Sequence, residues 1–151
     1  IKIAERLSFS VVGKIILSSD VHQLYDSEPV KDTSHDDLLR SLDPADEEFL
    51  NVFIDFMEKS WNRSDLKVED FSSFLGLSKS QLYRKVKSIT GKSLNIFLKE
   101  YRLEKALSLL DQKKGNISEI AFDCGFNSPA YFSKCFYQTY GVMPSKYINM
   151  L

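Results

Sequence analysis

The order of apolar and polar positions changes character along the chain. Through residue 42 it keeps no steady period. Val11, Val12, Ile15, Ile16 and Leu17 suit a strand or a helix equally, and the stretch through His35, Asp36 and Asp37 is polar, as a linker is. From Asp43 a helical period takes over. Asp43 as cap, Pro44 at the first helical position and Asp46, Glu47 and Glu48 in the first turn open a helix. Phe49, Leu50, Phe53, Ile54, Met57 and Trp61 follow at helical spacing.

Six more helices are predicted. Val68 to Leu75 forms a short one with Phe71, Phe74 and Leu75 inward, ended by Gly76. Ser78 with Gln81 makes a capping box that opens a third, running through Ile89 to Gly91. A long amphipathic helix spans about Ser93 to Asp111, with Ile96, Phe97, Tyr101, Leu103, Ala106, Leu107 and Leu110 apolar. Asn116 and Glu119 cap a fifth that ends near Cys124 and Gly125. Ser128 and Pro129 open a sixth, closed by Gly141, and Pro144 starts a final short helix through Tyr147 and Ile148. No strand-like alternation occurs after residue 45, so residues 43–151 are expected to be all-α.

Two stretches match at an offset of 50. Ser78 falls on Ser128, Leu82 on Phe132, Arg84 on Lys134, Val86 on Phe136, Gly91 on Gly141 and Phe97 on Tyr147. Before the turn the offset is 49, setting Gly76 on Gly125 and Leu77 on Phe126. Each copy reads short helix, Gly turn, capped helix, Gly stop. Two copies separated by a long helix make a double helix-turn-helix of about seven helices. Leu82, Val86 and Ile89 then share a stripe that packs on the second helix. On another face lie Ser80, Tyr83, Arg84 and Lys87, beside a helix N-terminus, where a recognition helix meets base edges in a major groove. The repeat places Ala130, Ser133, Lys134 and Tyr137 likewise, opposite Phe132 and Phe136. Base contacts are expected from Ser80, Tyr83, Arg84, Ala130, Ser133 and Lys134. Backbone contacts are expected from Ser78, Lys79, Lys87, Ser128 and Tyr137. Arg84 stands out because a guanidinium binds guanine in two-point fashion, worth about 1–3 kcal/mol of discrimination.

Charge sharpens this reading. The 151 residues carry a net charge of −1, which alone argues against nucleic acid. Yet Ser78 to Lys114 holds ten basic and three acidic residues, and the acidic excess lies upstream of it.

The residues from Leu66 onward resemble the DNA-binding domain of the AraC/XylS family of bacterial transcription regulators. The likeness rests on Leu77 to Lys85, Gly91-Lys92-Ser93, Arg102 to Ala106, Ile117 to Ala121, Cys124 to Lys134, and Gly141, Pro144 and Tyr147. It covers about two thirds of the chain. Leu94 departs from it, standing where many members have Pro. The resemblance implies a monomeric unit that sets two recognition helices in successive major grooves of double-stranded DNA. It also implies control of promoters, usually activation through contact with RNA polymerase. The family's usual sugar-sensing domain cannot fit in residues 1–45. The acidic lead-in from Asp43 to Leu50 resembles members fused behind a receiver domain in two-component hybrids. On that likeness residues 1–42 are a connector to, or remnant of, an upstream signalling domain. The absence of an initiator Met agrees with a piece of a longer polypeptide and equally with a processed N-terminus.

Other classes are weaker. An enzyme is not expected: Gly91-Lys92-Ser93 would need Gly where Val86 stands to complete a phosphate loop, no nucleophile elbow occurs, and no carboxylate pair stands out from solvated helix faces. The two histidines, His22 and His35, lie in the unpatterned segment. Cys124 and Cys135 are too few and wrongly spaced for zinc or a disulfide framework and read as buried thiols, so no metal or cofactor is expected. No apolar run approaches the roughly 18–20 residues that span a bilayer, and no signal peptide opens the chain. A cytoplasmic protein without membrane contact is the expectation. The alternative is a helical protein-interaction module of a signalling protein, with Tyr83 and Tyr137 as anchors.

Overall fold

A computed structural model describes residues 15–17, 39–41 and 43–151. Two three-residue strands, β1 (Ile15–Leu17) and β2 (Leu39–Ser41), pair in parallel with Ile16 opposite Arg40. The ambiguity at Ile15 to Leu17 thus falls to strand. The polar stretch around His35 lies outside the described residues. From Asp43 onward only helices follow, seven among the described residues: α1 (Pro44–Ser60), α2 (Val68–Leu75), α3 (Lys79–Thr90), α4 (Leu94–Asp111), α5 (Ile117–Asp123), α6 (Pro129–Tyr140) and α7 (Pro144–Met150). Of these described helices none is long and apolar enough to cross a membrane.

Local chemistry sets the boundaries. The Asp43 carboxylate accepts from the Asp46 N–H at 2.8 Å, satisfying one of the orphan donors of α1. Ser78, Ser93, Asn116 and Ser128 do the same for α3, α4, α5 and α6. Gln81 and Glu119 return a bond to the cap backbone N–H, completing two capping boxes.

The helices enclose two separate cores. Phe49, Leu50, Phe53, Ile54 and Met57 of α1 pack with Phe71 of α2 and Leu82, Val86 and Ile89 of α3. Ile120, Ala121 and Cys124 pack with Phe126 and with Phe132, Cys135 and Phe136 of α6. Helix α4 serves both. Leu94, Phe97, Leu98 and Tyr101 close the first core, while Leu103, Ala106 and Leu110 close the second. Leu103, Ala106 and Leu110 each stand nine positions after Leu94, Phe97 and Tyr101. At about 100° per residue, nine positions amount to a half turn beyond whole turns. The two stripes therefore lie on opposite faces of α4, and the helix changes the face it buries between Tyr101 and Leu103.

Two residues expected inside are not. Ile96 is 44% exposed. It stands seven positions before Leu103, on the face that the second core covers, but two turns ahead of where that cover begins. Phe74 is 52% exposed, because α2 is only two turns long and reaches the core through Phe71. Its ring lies on the rim, stacked on Phe56 at 4.5 Å between centroids.

Candidate nucleic-acid interface

The turns between α2 and α3, and between α5 and α6, are built alike. Gly76 and Gly125 adopt φ of +64° and +76°, a left-handed conformation that side chains resist. The next residue in each, Leu77 and Phe126, donates its N–H back to Ser72 O at 3.1 Å and Ala121 O at 3.0 Å. The chain then enters α3 and α6, both twelve residues long and both stopped by a left-handed glycine, Gly91 and Gly141. The repeat legible in the sequence is a repeat of backbone.

Each of these helices buries one stripe and exposes another. Leu82, Val86 and Ile89 are buried in α3, and Phe132, Cys135 and Phe136 in α6. Facing away from them, Ser80, Tyr83, Arg84 and Lys87 are exposed on α3. On α6, Ala130, Lys134 and Tyr137 are exposed and Ser133 is half-buried. Arg84, Lys87 and Lys134 have no carboxylate partner among the described residues. A guanidinium and two ammonium groups are thus held on rigid helices with their donors unspent, the arrangement that charged or base-edge acceptors require.

The residues expected at the phosphates divide. Ser78 is exposed and Ser128 half-buried, and each hydroxyl accepts a cap bond, from Gln81 N at 3.2 Å and Tyr131 N at 3.3 Å. Lys79 is exposed but ion-paired with Glu69 of α2. That hydrogen bond holds the Glu69 carboxyl below and the Lys79 ammonium above their ordinary pKa values. Lys85 and Lys92 are likewise paired, with Asp46 at 3.4 Å and with Glu100. Lys105 stands over the Tyr101 ring, 5.1 Å from its centroid. The basic band of the sequence is therefore partly neutralised in the fold, and the cations left on α3 are Arg84 and Lys87.

A cleft of about 480 Å³ runs between the N-terminal half of α4 and the start of α6. Asn95, Ile96, Lys99 and Arg102 of α4 line it, together with Gly125, Ser128 and Tyr131 from the second helix-turn-helix. Sequence periodicity did not single out Tyr131 or Lys99. Tyr131 is 55% exposed and sits one position from the expected stripe, a place a wider stripe would have included. Lys99 would have been found only by knowing that α4 has two faces. Arg102 is partly buried, and desolvation lowers its pKa. Two carbonyls compensate, with Nε donating to Trp61 O at 2.7 Å and Nη2 to Arg63 O at 2.7 Å. Burial pushes the Cys124 thiol up to about 12, which keeps it a neutral packing group. Cys135 is buried beside it in the second core.

A family model described as a helix-turn-helix domain matches residues 71–150. The chain is 38% identical over 109 residues to histidine kinase P4 of Formosa agariphila, covering 72% of the chain but 8% of that protein. It is 33% identical over 91 residues to the HTH-type transcriptional activator RhaS of Mannheimia succiniciproducens, covering 60% of the chain and 34% of the relative. It thus spans far less than two thirds of either. Among solved structures, it is similar to the C-terminal domain of AraT, a response regulator from Geobacillus stearothermophilus. That match has 32% identity and a TM-score of 0.64, over 73% of this chain and 88% of that one.

Proposed function

The chain belongs to the AraC/XylS family of helix-turn-helix domains, and from that membership we propose that it is the DNA-reading output domain of a longer bacterial signalling protein. It binds double-stranded DNA in a sequence-specific way and regulates transcription. The observation that carries this reading is the pairing of Arg84 with Lys134. They stand at one register on two helices of equal length, each with a serine cap and each turned away from its own buried stripe.

In the proposed complex α3 and α6 enter successive major grooves. Arg84 contacts guanine O6 and N7, with Ser80 and Tyr83 beside it. Lys134 and Ser133 play the equivalent part in the second groove, and Ala130 leaves room for a thymine methyl. Lys87, Tyr137 and the capped N-termini at Ser78 and Ser128 meet phosphates. Lys79 reaches a phosphate by exchanging Glu69 for it.

The domain works in the cytoplasm and activates promoters by contact with RNA polymerase. Likeness to a segment of a much longer histidine kinase supports a place behind an upstream signalling domain, with residues 1–42 as the connection. Selection of bound duplexes from a random pool by this chain tests the proposal. A recovered consensus of two half-sites about one helical turn apart is expected, with affinity that falls steeply with salt, by about 0.9 in log slope per phosphate neutralised. A pool that stays unselected, or binding indifferent to salt, would refute it.

A further inference from the structure

Apart from α4, the helices of the first core and those of the second share little direct packing. A single helix under two units leaves their mutual angle weakly fixed, because a unit can rock about the stripe it covers. One junction opposes that motion. Arg102 lies between Tyr101, which closes the first core, and Leu103, which closes the second. Its guanidinium reaches out of α4 to the α1–α2 loop, taking the carbonyls of Trp61 and Arg63 two residues apart. The Arg63 carbonyl also accepts from Leu66 N at 3.3 Å, so the loop is a closed turn and not a free strand. Behind the guanidinium sits Gly125, the turn glycine of the second helix-turn-helix. A Cβ there would lie 3.0 Å from the Asn62 carbonyl group and 3.1 Å from Arg102 Cζ. The turn that launches α6 is thus seated directly on the loop of the other unit, with the planar Arg102 fork wedged beside it. Trp61, at the start of the same loop, packs against both cores.

We infer that Arg102 is a positioning residue: by tying the α1–α2 loop to the Gly125 turn it fixes the angle between α3 and α6, and so sets which half-site spacing the domain accepts. This rests on the DNA-binding reading above. Successive major grooves on one face are about 34 Å apart, and a hinge between the two reading faces works on roughly half that length. A rotation of about 12° then displaces one face by about 3.4 Å, the rise of one base pair. Tolerance of a few degrees separates a domain that measures spacing from one that does not. A guanidinium fork bound to two carbonyls resists rotation in its plane, whereas an ammonium on a flexible stem holds a point and swivels.

The test compares Arg102→Met and Arg102→Lys with the parent 151-residue chain. Each is measured on the selected duplex, on duplexes with one base pair added or removed between half-sites, and on a duplex keeping only the half-site read by α3. The parent should lose about tenfold for the altered spacing, the size of one mismatched base pair. Arg102→Met should keep its affinity for the single half-site within about twofold while its spacing penalty shrinks to about threefold, with Arg102→Lys in between. An unchanged penalty in folded Arg102→Met would overturn the inference. So would loss of the fold in both variants, since Arg102 would then hold the cores and not an angle. A parent with no preference for any duplex would instead defeat the DNA-binding reading itself.

Discussion

At the scale of single residues, exposure and pairing decide which cations can act. Arg84 has both: it is outward on α3 and without a carboxylate partner among the described residues. Arg84→Ala should cost about 1–3 kcal/mol on the selected site and relax base preference in one half only, as competition between duplexes with single-base changes would reveal. A variant as selective as the parent would remove Arg84 from the base edges. Lys79 is held by Glu69, so Glu69→Gln should release it. The expected gain is about two- to fivefold in affinity for duplexes of every sequence at low salt, the worth of an exposed ion pair, with a steeper salt slope. No gain would mean that Lys79 does not meet phosphate. A third residue bears on stability alone. Burial raises the pKa of Glu104, only partly offset by Lys105. A carboxyl with a folded-state pKa above its unfolded value binds its proton more tightly when folded, so the fold gains stability as pH falls toward the usual glutamate range. Glu104→Gln cannot titrate. Urea midpoints near pH 7 and near pH 5 should show the parent gaining on the variant at the lower pH.

At the scale of elements, the caps were legible because they are local. Ser78 and Gln81, or Asn116 and Glu119, are three residues apart, and the bonds they make are those their spacing dictates. The helix boundaries and both glycine turns follow from the same short-range chemistry. What periodicity could not give was the double face of α4. A search for one apolar stripe merges Phe97 and Tyr101 with Leu103 and Ala106, although the two sets point opposite ways. It also takes Ile96 for core, since only the placement of α5 and α6 tells how far along α4 the second cover extends. The ion pairs were hidden for a similar reason: Lys85 meets Asp46 and Lys79 meets Glu69 across different helices. Arg102 finds its carbonyls in a loop about forty residues back. Ser78→Ala should lower stability by about 1 kcal/mol, seen as a shifted denaturant midpoint with unchanged slope. An unshifted midpoint would mean that the Gln81 half of the box holds α3 by itself.

For the whole molecule, every core member among the described residues lies from Phe49 onward, and the shared helix joins the two sets. A chain beginning at Asp43 should therefore fold and bind the selected duplex like the full chain. Failure of that truncation to fold would make the upstream segment part of the domain. The architecture matters because each helix-turn-helix alone offers a small reading face, and a single groove rarely gives enough discrimination among genomic sites. Two faces on one shared helix double the sequence read without requiring a dimer. The most direct measurement of that claim is a hydroxyl-radical footprint on the selected duplex, taken for the parent, for Arg84→Ala and for Lys134→Ala. Two protected patches about 10 base pairs apart on one face of the duplex are expected, with Arg84→Ala erasing one and Lys134→Ala the other. A single patch, or two substitutions that erase the same patch, would contradict the account.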